Sequence, residues 1–268
     1  MKQKFIVTSG CSFSDRENNT WPTALADRVD ATVINYGLSS AGNSWISKTA
    51  IHGTQLLLDN NISADDILVI VMWSGIDRKD LFVSRSQTPG FNELISGEGS
   101  NPVNFLDQSV NEYYKSSTTD GYLVGNVHSF FVNKKIQDTK RELIMKFYPD
   151  EALAIESYEN FLRVQWYCQS KKIKLLNLTY LDIMHYPAAW HQEPKTTITA
   201  DLFRNVRPLY NMIEFGNWLF WKDTQGLYEY ARDNGLFFCS DGQHLDQVSH
   251  AHYVENFLIP KLVDSGYL

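Results

Sequence analysis

Several short apolar runs in the chain have the composition of buried β-strands. The run from Ile67 to Trp73 is the clearest, because an unbroken stretch rich in β-branched residues implies burial on both faces of a sheet. It is therefore predicted to be a central strand. The five predicted strands are Phe5 to Thr8, Thr32 to Tyr36, Ile67 to Trp73, Ile173 to Leu178 and Leu236 to Cys239.

Stretches with helical periodicity lie between these runs. They cover Pro22 to Val29, Ser44 to Asn60, Glu151 to Lys171, Thr224 to Asp233 and Gln247 to Val263. Strands that alternate with helices form parallel sheets with right-handed crossovers. The pattern therefore predicts an α/β fold with a five-stranded parallel sheet. A length of 268 residues, 43% of them hydrophobic, favours a single domain over residues 1–268.

Residues 81–150 do not fit a minimal sheet of this kind. Turn signals occur at Pro89-Gly90 and Asp120-Gly121, and no long periodic helix begins before about Asn133. Connections of this length are uncommon unless they serve a function or are disordered. We interpret this long insertion after the third strand as a lid or a partner-binding segment.

Composition narrows the classes of partner. The net charge is -7, from 24 basic and 31 acidic residues, and no Lys/Arg block is present, so nucleic acid is not an expected partner. No apolar run approaches membrane-spanning length, and the N-terminal apolar run is too short for a signal peptide, so a cytoplasmic protein is expected. The cysteines, Cys11, Cys168 and Cys239, are odd in number and lack metal-type spacing, so neither a disulfide framework nor a metal site is predicted.

Two distant loops carry residues suited to nucleophilic catalysis. The first predicted strand ends at Gly10 and leads into a turn that exposes Ser12 near a helix start. Near the other end, Asp241 and His244 follow the last predicted strand. Acyl transfer by a serine requires an imidazole to accept its proton and a carboxylate to orient that imidazole. These three residues are therefore the candidate nucleophile, base and orienting group.

The other notable loops also follow strands. Gly42 and Asn43 come after the second predicted strand, and Asp77 with Arg78 after the third. In open parallel sheets, ligands bind beyond the carboxyl ends of the strands. We therefore expect all of these loops to converge with Ser12 and His244 at one edge of the sheet.

At these loops the chain resembles the SGNH (GDSL-type) hydrolases. The family's Gly-Asp-Ser-x-Ser block is matched by Gly10-Cys-Ser-Phe-Ser14, its second-block glycine by Gly42, its Gly-x-Asn-Asp block by Gly75-Ile-Asp-Arg78, and its Asp-x-x-His-Pro block by Asp241-Gly-Gln-His-Leu245. The first and third blocks also look like those of members encoded by tailed bacteriophages, which would make the protein virion-associated.

The resemblance implies a flavodoxin-like three-layer sandwich that hydrolyses acyl esters without a cofactor. In it, Ser12 is the nucleophile, His244 the base and Asp241 its orienting partner. The N–H groups of Ser12 and Gly42 form the oxyanion hole.

Three residues depart from the family pattern. Cys11 replaces an Asp that steadies the nucleophile turn, and Leu245 replaces a Pro at little cost. Asp77 stands where the family has an Asn that donates to the oxyanion. Losing such a donor costs about 2.7 to 4 kcal/mol, and a carboxylate about 4 Å from the oxyanion adds about 4 kcal/mol of repulsion. Our hypothesis is that Asp77 turns away, for example towards Arg78, and that Asn43 or Arg78 supplies the missing donor.

Two function classes follow from these features. The leading one is a serine-dependent carboxylic ester hydrolase, an O-deacetylase or short-acyl esterase that acts on an acylated small molecule or polysaccharide. The alternative is a catalytically weak or inactive descendant used as a binding or structural module, for example a virion component. Cys11 and Asp77, which depart from the family pattern, are the residues that support this alternative.

Aromatic residues concentrate towards the C-terminal third of the chain. This cluster is interpreted as packing against the sheet, with a sugar-stacking platform or an oligomer contact as the alternative. Its members are Tyr186, Trp190, Trp218, Phe220, Trp221, Tyr228 and Tyr230. His250 and His252, spaced i, i+2, cannot share a helix face and are interpreted as ordinary helix residues, one of them half-buried.

Overall fold

Four parallel strands form the central sheet. The computed structural model describes residues 3–15, 18–76, 78–84, 120–123, 150–184, 205–242 and 244–268. In chain order, the strands are β1 (Phe5–Gly10), β2 (Thr32–Asn35), β3 (Ile67–Trp73), β4 (Leu81–Ser84), β5 (Asp120–Leu123) and β6 (Lys174–Thr179). The sheet has the order β2-β1-β3-β6, with Phe5 paired to Thr32 on one side and to Ile67 on the other. The prediction of an α/β fold with a parallel sheet is confirmed.

Strand β3 is central, as predicted from its composition. It lies between β1 and β6, and every one of its residues is buried. A strand covered on both faces has no side that benefits from polar residues, which explains the unbroken apolar run. At its end, the indole Nε1 of Trp73 donates to Asn177 Oδ1 at 2.9 Å, so the polar atom of this buried ring is paired.

The predicted fifth strand, Leu236 to Cys239, does not form. Phe238 makes an isolated antiparallel bridge with Leu245, and the Phe237 N–H donates to Ser249 Oγ at 3.0 Å instead of to a neighbouring strand. Phe237 is 72% exposed, whereas Leu236 and Phe238 are half-buried and pack against the core. Beside β6, Trp218 makes an isolated parallel bridge with Asn177. The sheet of the described residues therefore has four strands and not five.

Helices pack around the sheet in two groups. They are α1 (Trp21–Ala26), α2 (Asn43–Asp59), α3 (Asp150–Lys171), α4 (Arg207–Tyr210), α5 (Leu227–Asp233), α6 (Gln247–Tyr253) and α7 (Ile259–Asp264). One group places α2 against β1, β3 and α3, and the other places α1 against β2 and α6. A π-helical turn, Val254–Leu258, joins α6 to α7 without a break, so the chain is helical from Gln247 to Asp264, as the sequence predicted. Within the described ranges, no helix is long and apolar enough to span a bilayer.

The insertion after β3 is described only in part. Strands β4 and β5 form an antiparallel hairpin in which Leu81 pairs with Leu123. Residues 85–119 and 124–149 lie outside the described residues. A lid or partner-binding role for 81–150 stays a prediction, as does the single domain over 1–268.

The described aromatic residues near the C-terminus are buried in the core (Trp218 and Tyr230) or half-buried and packed against it (Phe220, Trp221 and Tyr228). Trp218 is 8% exposed and meets Phe161 edge-on at 5.3 Å between ring centroids. Tyr230 is 2% exposed and contacts Trp221 edge-on at 4.8 Å. The packing interpretation is confirmed for these residues, whereas Tyr186 and Trp190 lie outside the described residues. An oligomer or assembly contact through this region stays a prediction.

Candidate active site

The turn that carries Ser12 lies between strand β1 and helix α1. β1 ends at Gly10, and Ser12–Ser14 forms one 3-10 turn. The hydroxyl of the buried Ser14 accepts from Trp21 Nε1 at 2.8 Å, which ties the turn to the start of α1. Ser12 is the first residue of this turn, and the first N–H groups of a helical turn have no acceptor within it.

Gly10 is required because other atoms approach it closely. A Cβ at this position would lie 2.2 Å from Ser14 Oγ and 3.0 Å from the Met72 carbonyl oxygen. We expect Gly10→Ala to lower the free energy of unfolding by about 1 to 3 kcal/mol, because the turn must move to admit the methyl group. Urea unfolding followed by tryptophan fluorescence measures the change.

Gly216→Ala is the matched control for this substitution. A Cβ at Gly216 meets nothing within 4 Å, so a change of no more than about 0.5 kcal/mol is expected. Equal effects of the two substitutions would mean that the Ser12 turn is not sterically fixed at Gly10.

A short hairpin-like loop presents His244. The Cys239 N–H donates to the His244 carbonyl oxygen at 2.7 Å, and the Gly242 N–H donates to the Cys239 carbonyl oxygen at 2.9 Å. Gly242 has a φ of +67°, in the left-handed region that glycine adopts without strain. Asp241 binds the same loop, because its Oδ1 accepts from the His244 N–H at 2.9 Å.

The structure brings the three candidate side chains into one hydrogen-bonded chain. Ser12 Oγ lies 2.8 Å from His244 Nε2, although the two residues are 232 positions apart in sequence. On the other side of the imidazole, His244 Nδ1 lies 2.6 Å from Asp241 Oδ2. In the tautomer whose Nδ1–H donates a hydrogen bond to the carboxylate, Nε2 can accept the hydrogen bond from the Ser12 hydroxyl.

The triad residues are partly open to solvent on one side. The side chain of Asp241 is 46% exposed and that of His244 is 36% exposed. On its other side, the imidazole packs on the buried ring of Phe13 at 5.2 Å between centroids. Phe13 in turn packs on Tyr180 at 4.8 Å, so the core supports the orientation of the imidazole.

The predicted oxyanion donors of the second loop have other partners. The Gly42 N–H donates to Asp80 Oδ1 at 2.8 Å. The buried Asn43 side chain donates to the Ser74 carbonyl oxygen and to Ser157 Oγ, both at 3.1 Å, and its Oδ1 accepts from the Ser74 N–H. Both groups thus hold α2 to the neighbouring elements and are not free to bind a substrate oxygen in this arrangement.

Asp80, which the sequence did not single out, holds the start of α2 near the candidate site. Its two oxygens accept from the Gly42 and Trp45 N–H groups at the start of α2, the second bond being 2.5 Å. Burial raises the pKa of Asp80 to about 6, although both N–H bonds act in the opposite direction. The sequence did contain a signal for this contact. The residue before α2 is a glycine, which has no side chain to cap the helix, and an acidic residue follows the next strand.

The sequence left the roles of Asp77 and Arg78 open, and the structure describes Arg78 but not Asp77. Arg78 is half-buried, and its carbonyl oxygen would lie 3.0 Å from a Cβ at Gly42, so the segment that leads to Asp80 passes directly over the start of α2. Asp77 lies outside the described residues. In the described part of the chain, no group of three His, Cys, Asp or Glu residues is placed to hold a metal ion.

Comparisons with known proteins give little beyond this geometry. Residues 8–119, less than half of the chain, match a family described as "Family of unknown function (DUF6071)". No curated protein matches the chain. Among solved structures, a "putative acylhydrolase" from Bacteroides fragilis NCTC 9343 is 11% identical, with a TM-score of 0.39 over 100% of this chain and 92% of that one. A GDSL-like lipase from Bacteroides thetaiotaomicron VPI-5482 is 12% identical, with a TM-score of 0.37 over 98% of this chain and 89% of that one. Likeness at this level assigns no residue and no substrate.

Proposed function

We propose that the protein is a serine-dependent carboxylic ester hydrolase, an O-deacetylase or short-acyl esterase for a carbohydrate-like substrate. The hydrogen-bonded chain from Ser12 through His244 to Asp241 carries this proposal. The distances lie within the range expected between a nucleophile, its base and the group that orients the base.

The reaction would proceed in two acyl transfers. Ser12 Oγ attacks the ester carbonyl carbon while His244 Nε2 takes the hydroxyl proton, and the resulting imidazolium is stabilised by Asp241. The tetrahedral intermediate collapses when the C–O bond to the alcohol breaks, and the alcohol leaves with the proton from Nε2. Water then attacks the acyl-serine with the same base, which releases the carboxylic acid and restores Ser12.

The oxyanion would be held mainly by the Ser12 N–H. Gly42 could donate only after its N–H leaves Asp80, and Asn43 only after it leaves Ser74 and Ser157. Loss of one oxyanion donor lowers kcat by about 10²- to 10³-fold. We therefore propose a slow hydrolase, unless substrate binding rearranges the start of α2.

The same observation favours the second candidate function. A binding or structural module, for example a virion component, would have no need of oxyanion donors, and the described donors of Gly42 and Asn43 are engaged within the protein. The two functions differ in whether Ser12 is chemically reactive.

A fluorophosphonate probe tests this difference. It should label Ser12, whose oxygen would displace fluoride from phosphorus, and the label should be absent from Ser12→Ala and His244→Ala. The variant Ser170→Ala, which removes an exposed serine near the end of α3, should label like the wild type. A folded wild-type protein that stays unlabelled would rule out the hydrolase and leave the binding module.

A further inference from the structure

The imidazole of His244 packs against a buried aromatic ring. Its centroid lies 5.2 Å from that of Phe13, and the two ring planes are inclined by 34°. Rings that meet edge to face are close to perpendicular, so this pair is nearer to an offset stack. Phe13 is fully buried and follows Ser12 directly in the same 3-10 turn. One turn therefore carries both the candidate nucleophile and a ring that contacts the candidate base.

The charge on this imidazole changes in the proposed reaction. When Ser12 Oγ attacks, its proton moves to His244 Nε2, which lies 2.8 Å away, and the ring becomes positively charged. Asp241 Oδ2 lies 2.6 Å from Nδ1 and stabilises that charge. These two contacts are made through the ring nitrogens, whereas Phe13 packs towards a face of the ring. The aromatic contact therefore adds to the hydrogen bonds and does not compete with them.

An aromatic neighbour acts on a charged imidazole differently from an aliphatic one. Contact with any apolar group removes water from part of the imidazole, which disfavours its charged form. The face of a phenyl ring, however, carries partial negative charge and attracts a cation within about 6 Å of its centroid. Phe13 meets this distance condition. It thus excludes water from one side of the imidazole and offsets the loss of hydration when the ring becomes charged.

The core holds Phe13 in this position. Its ring packs on the fully buried Tyr180, with 4.8 Å between the ring centroids. The next residue, Ser14, accepts a hydrogen bond from Trp21 Nε1 at 2.8 Å. Because both sides of Phe13 are fixed, its ring need not move when charge forms on His244. Stabilisation by a group that is already in place costs no reorganisation during the reaction.

We propose that Phe13 is a positioning residue that stabilises the imidazolium form of His244 by a cation–π contact and thereby speeds the attack by Ser12. This inference rests on the proposed function for the step in which the imidazolium forms. It goes beyond orientation of the imidazole, because an aliphatic side chain could fill the same space but would not attract the charge.

Other ionisable groups surround the imidazole. They come from its own loop and from α6, and they line the cavity of about 380 Å³ beside Ser12: Asp241, Cys239, Asp246 and His250. Burial lowers the pKa of His250 to about 3, so this second imidazole is neutral at pH 7. A change confined to the ring of Phe13 keeps all four groups in place. Their effect on His244 is therefore the same in every variant described below.

Fluorinated phenylalanines test the charge while they nearly preserve the shape of the ring. Fluorine withdraws electrons, so 4-fluoro-, 3,5-difluoro- and 3,4,5-trifluorophenylalanine at position 13 present a progressively less negative face. The rate at which a fluorophosphonate labels Ser12 should fall with each added fluorine, to about 2- to 5-fold below the wild type for the trifluoro ring. Cyclohexylalanine at position 13, which has the bulk but no π-face, should be as slow as the trifluoro ring.

Phe161 provides the matched control. It is buried like Phe13, and its ring packs on Trp73 and Tyr158. The same fluorinated residues at position 161 should leave the labelling rate unchanged. Equal losses at the two positions would mean that fluorine acts through packing, and would overturn the inference. A labelling rate that does not depend on fluorine at position 13 would overturn it as well.

An NMR titration of the His244 ring gives a readout that needs no turnover. The ring-proton signals, assigned by their loss in His244→Ala, report the protonation of the imidazole. A less negative face at position 13 should make protonation harder, so the midpoint of the titration should move to lower pH by about 0.4 to 0.7 for the trifluoro ring. A merely structural role for Phe13 would leave this midpoint unchanged across the series.

The two proposals fail in different ways. A folded wild-type protein that is not labelled, but whose His244 midpoint follows fluorination, would rule out the hydrolase and leave the cation–π contact intact. Labelling of Ser12 with a rate and a midpoint that do not respond to fluorination would leave the hydrolase and overturn the role of Phe13.

Discussion

Replacing either Ser12 or His244 by Ala is expected to lower kcat/KM for a short acetyl ester by about 10⁴-fold or more. Without His244, Ser12 Oγ loses the base that lies 2.8 Å away, and without Ser12 that base has no nucleophile to activate. Because the two residues act as one unit, the double variant should lose little more than either single variant. Steady-state hydrolysis of an acetylated sugar measures all three.

Two further variants sharpen this experiment. Asp241→Asn should cost less than removal of His244, because the Asp241 side chain is 46% exposed and water weakens its interaction with the imidazolium. His252→Ala should leave kcat/KM unchanged, since His252 contacts Tyr230 and does not line the cavity. Losses that multiply in the double variant would show that Ser12 and His244 do not act together.

The central sheet could be predicted because the buried strands are recognisable from their own apolar composition. Strand β3 has the bounds given by its apolar run, and β1 and β6 differ from their predicted bounds by only one or two residues at an end. The run from Leu236 to Cys239 is as apolar as these strands, yet Phe237 is 72% exposed. Apolar composition alone does not tell whether a strand neighbour is available, since Ser249 and Leu245 supply the partners of this segment.

The sequence predicted that Ser12 and His244 lie close together, but one of the structural features behind that prediction is absent. The expectation that Ser12 and His244 lie at one edge used the carboxyl ends of five strands, but His244 is carried by a loop that follows no strand. The loop itself brings Asp241 to the imidazole through a bond to the His244 N–H. A three-residue spacing between a carboxylate and a histidine makes such a pair possible without long-range order, and this local relation is what the sequence contains.

Contacts that depend on the path of a loop could not be predicted. Asp80 meets the N–H groups of Gly42 and Trp45 only because the chain after β3 turns back over the start of α2. Asn43 bonds to Ser157, which is 114 residues away. No periodicity or motif encodes either distance, so the expected oxyanion donors proved to have partners inside the protein.

Two buried ionisable groups are expected to give opposite pH dependence to the free energy of unfolding. The pKa of His250 is lowered by burial from 6.5 to about 3, so between these values the unfolded chain binds a proton that the folded protein does not. Stability on this account is lost as the pH falls. The pKa of Asp80 is raised by burial from 3.8 to about 6, so there the folded protein binds the extra proton and stability is lost as the pH rises. Between about pH 4 and 6 the two groups offset each other.

His250→Gln should therefore make the protein markedly less sensitive to acid. Between pH 7 and pH 4 we expect the free energy of unfolding of this variant to fall by about 3 kcal/mol less than that of the wild type, because no buried imidazole remains to resist protonation. Asp80→Asn should fall by about 2 to 3 kcal/mol more than the wild type, since it lacks the compensating proton uptake. Val248→Ala, exposed on the same helix as His250, should follow the wild type. Urea unfolding at a series of pH values measures the slopes, and a His250→Gln slope parallel to that of the wild type would show that the imidazole accepts a proton in the folded protein without cost.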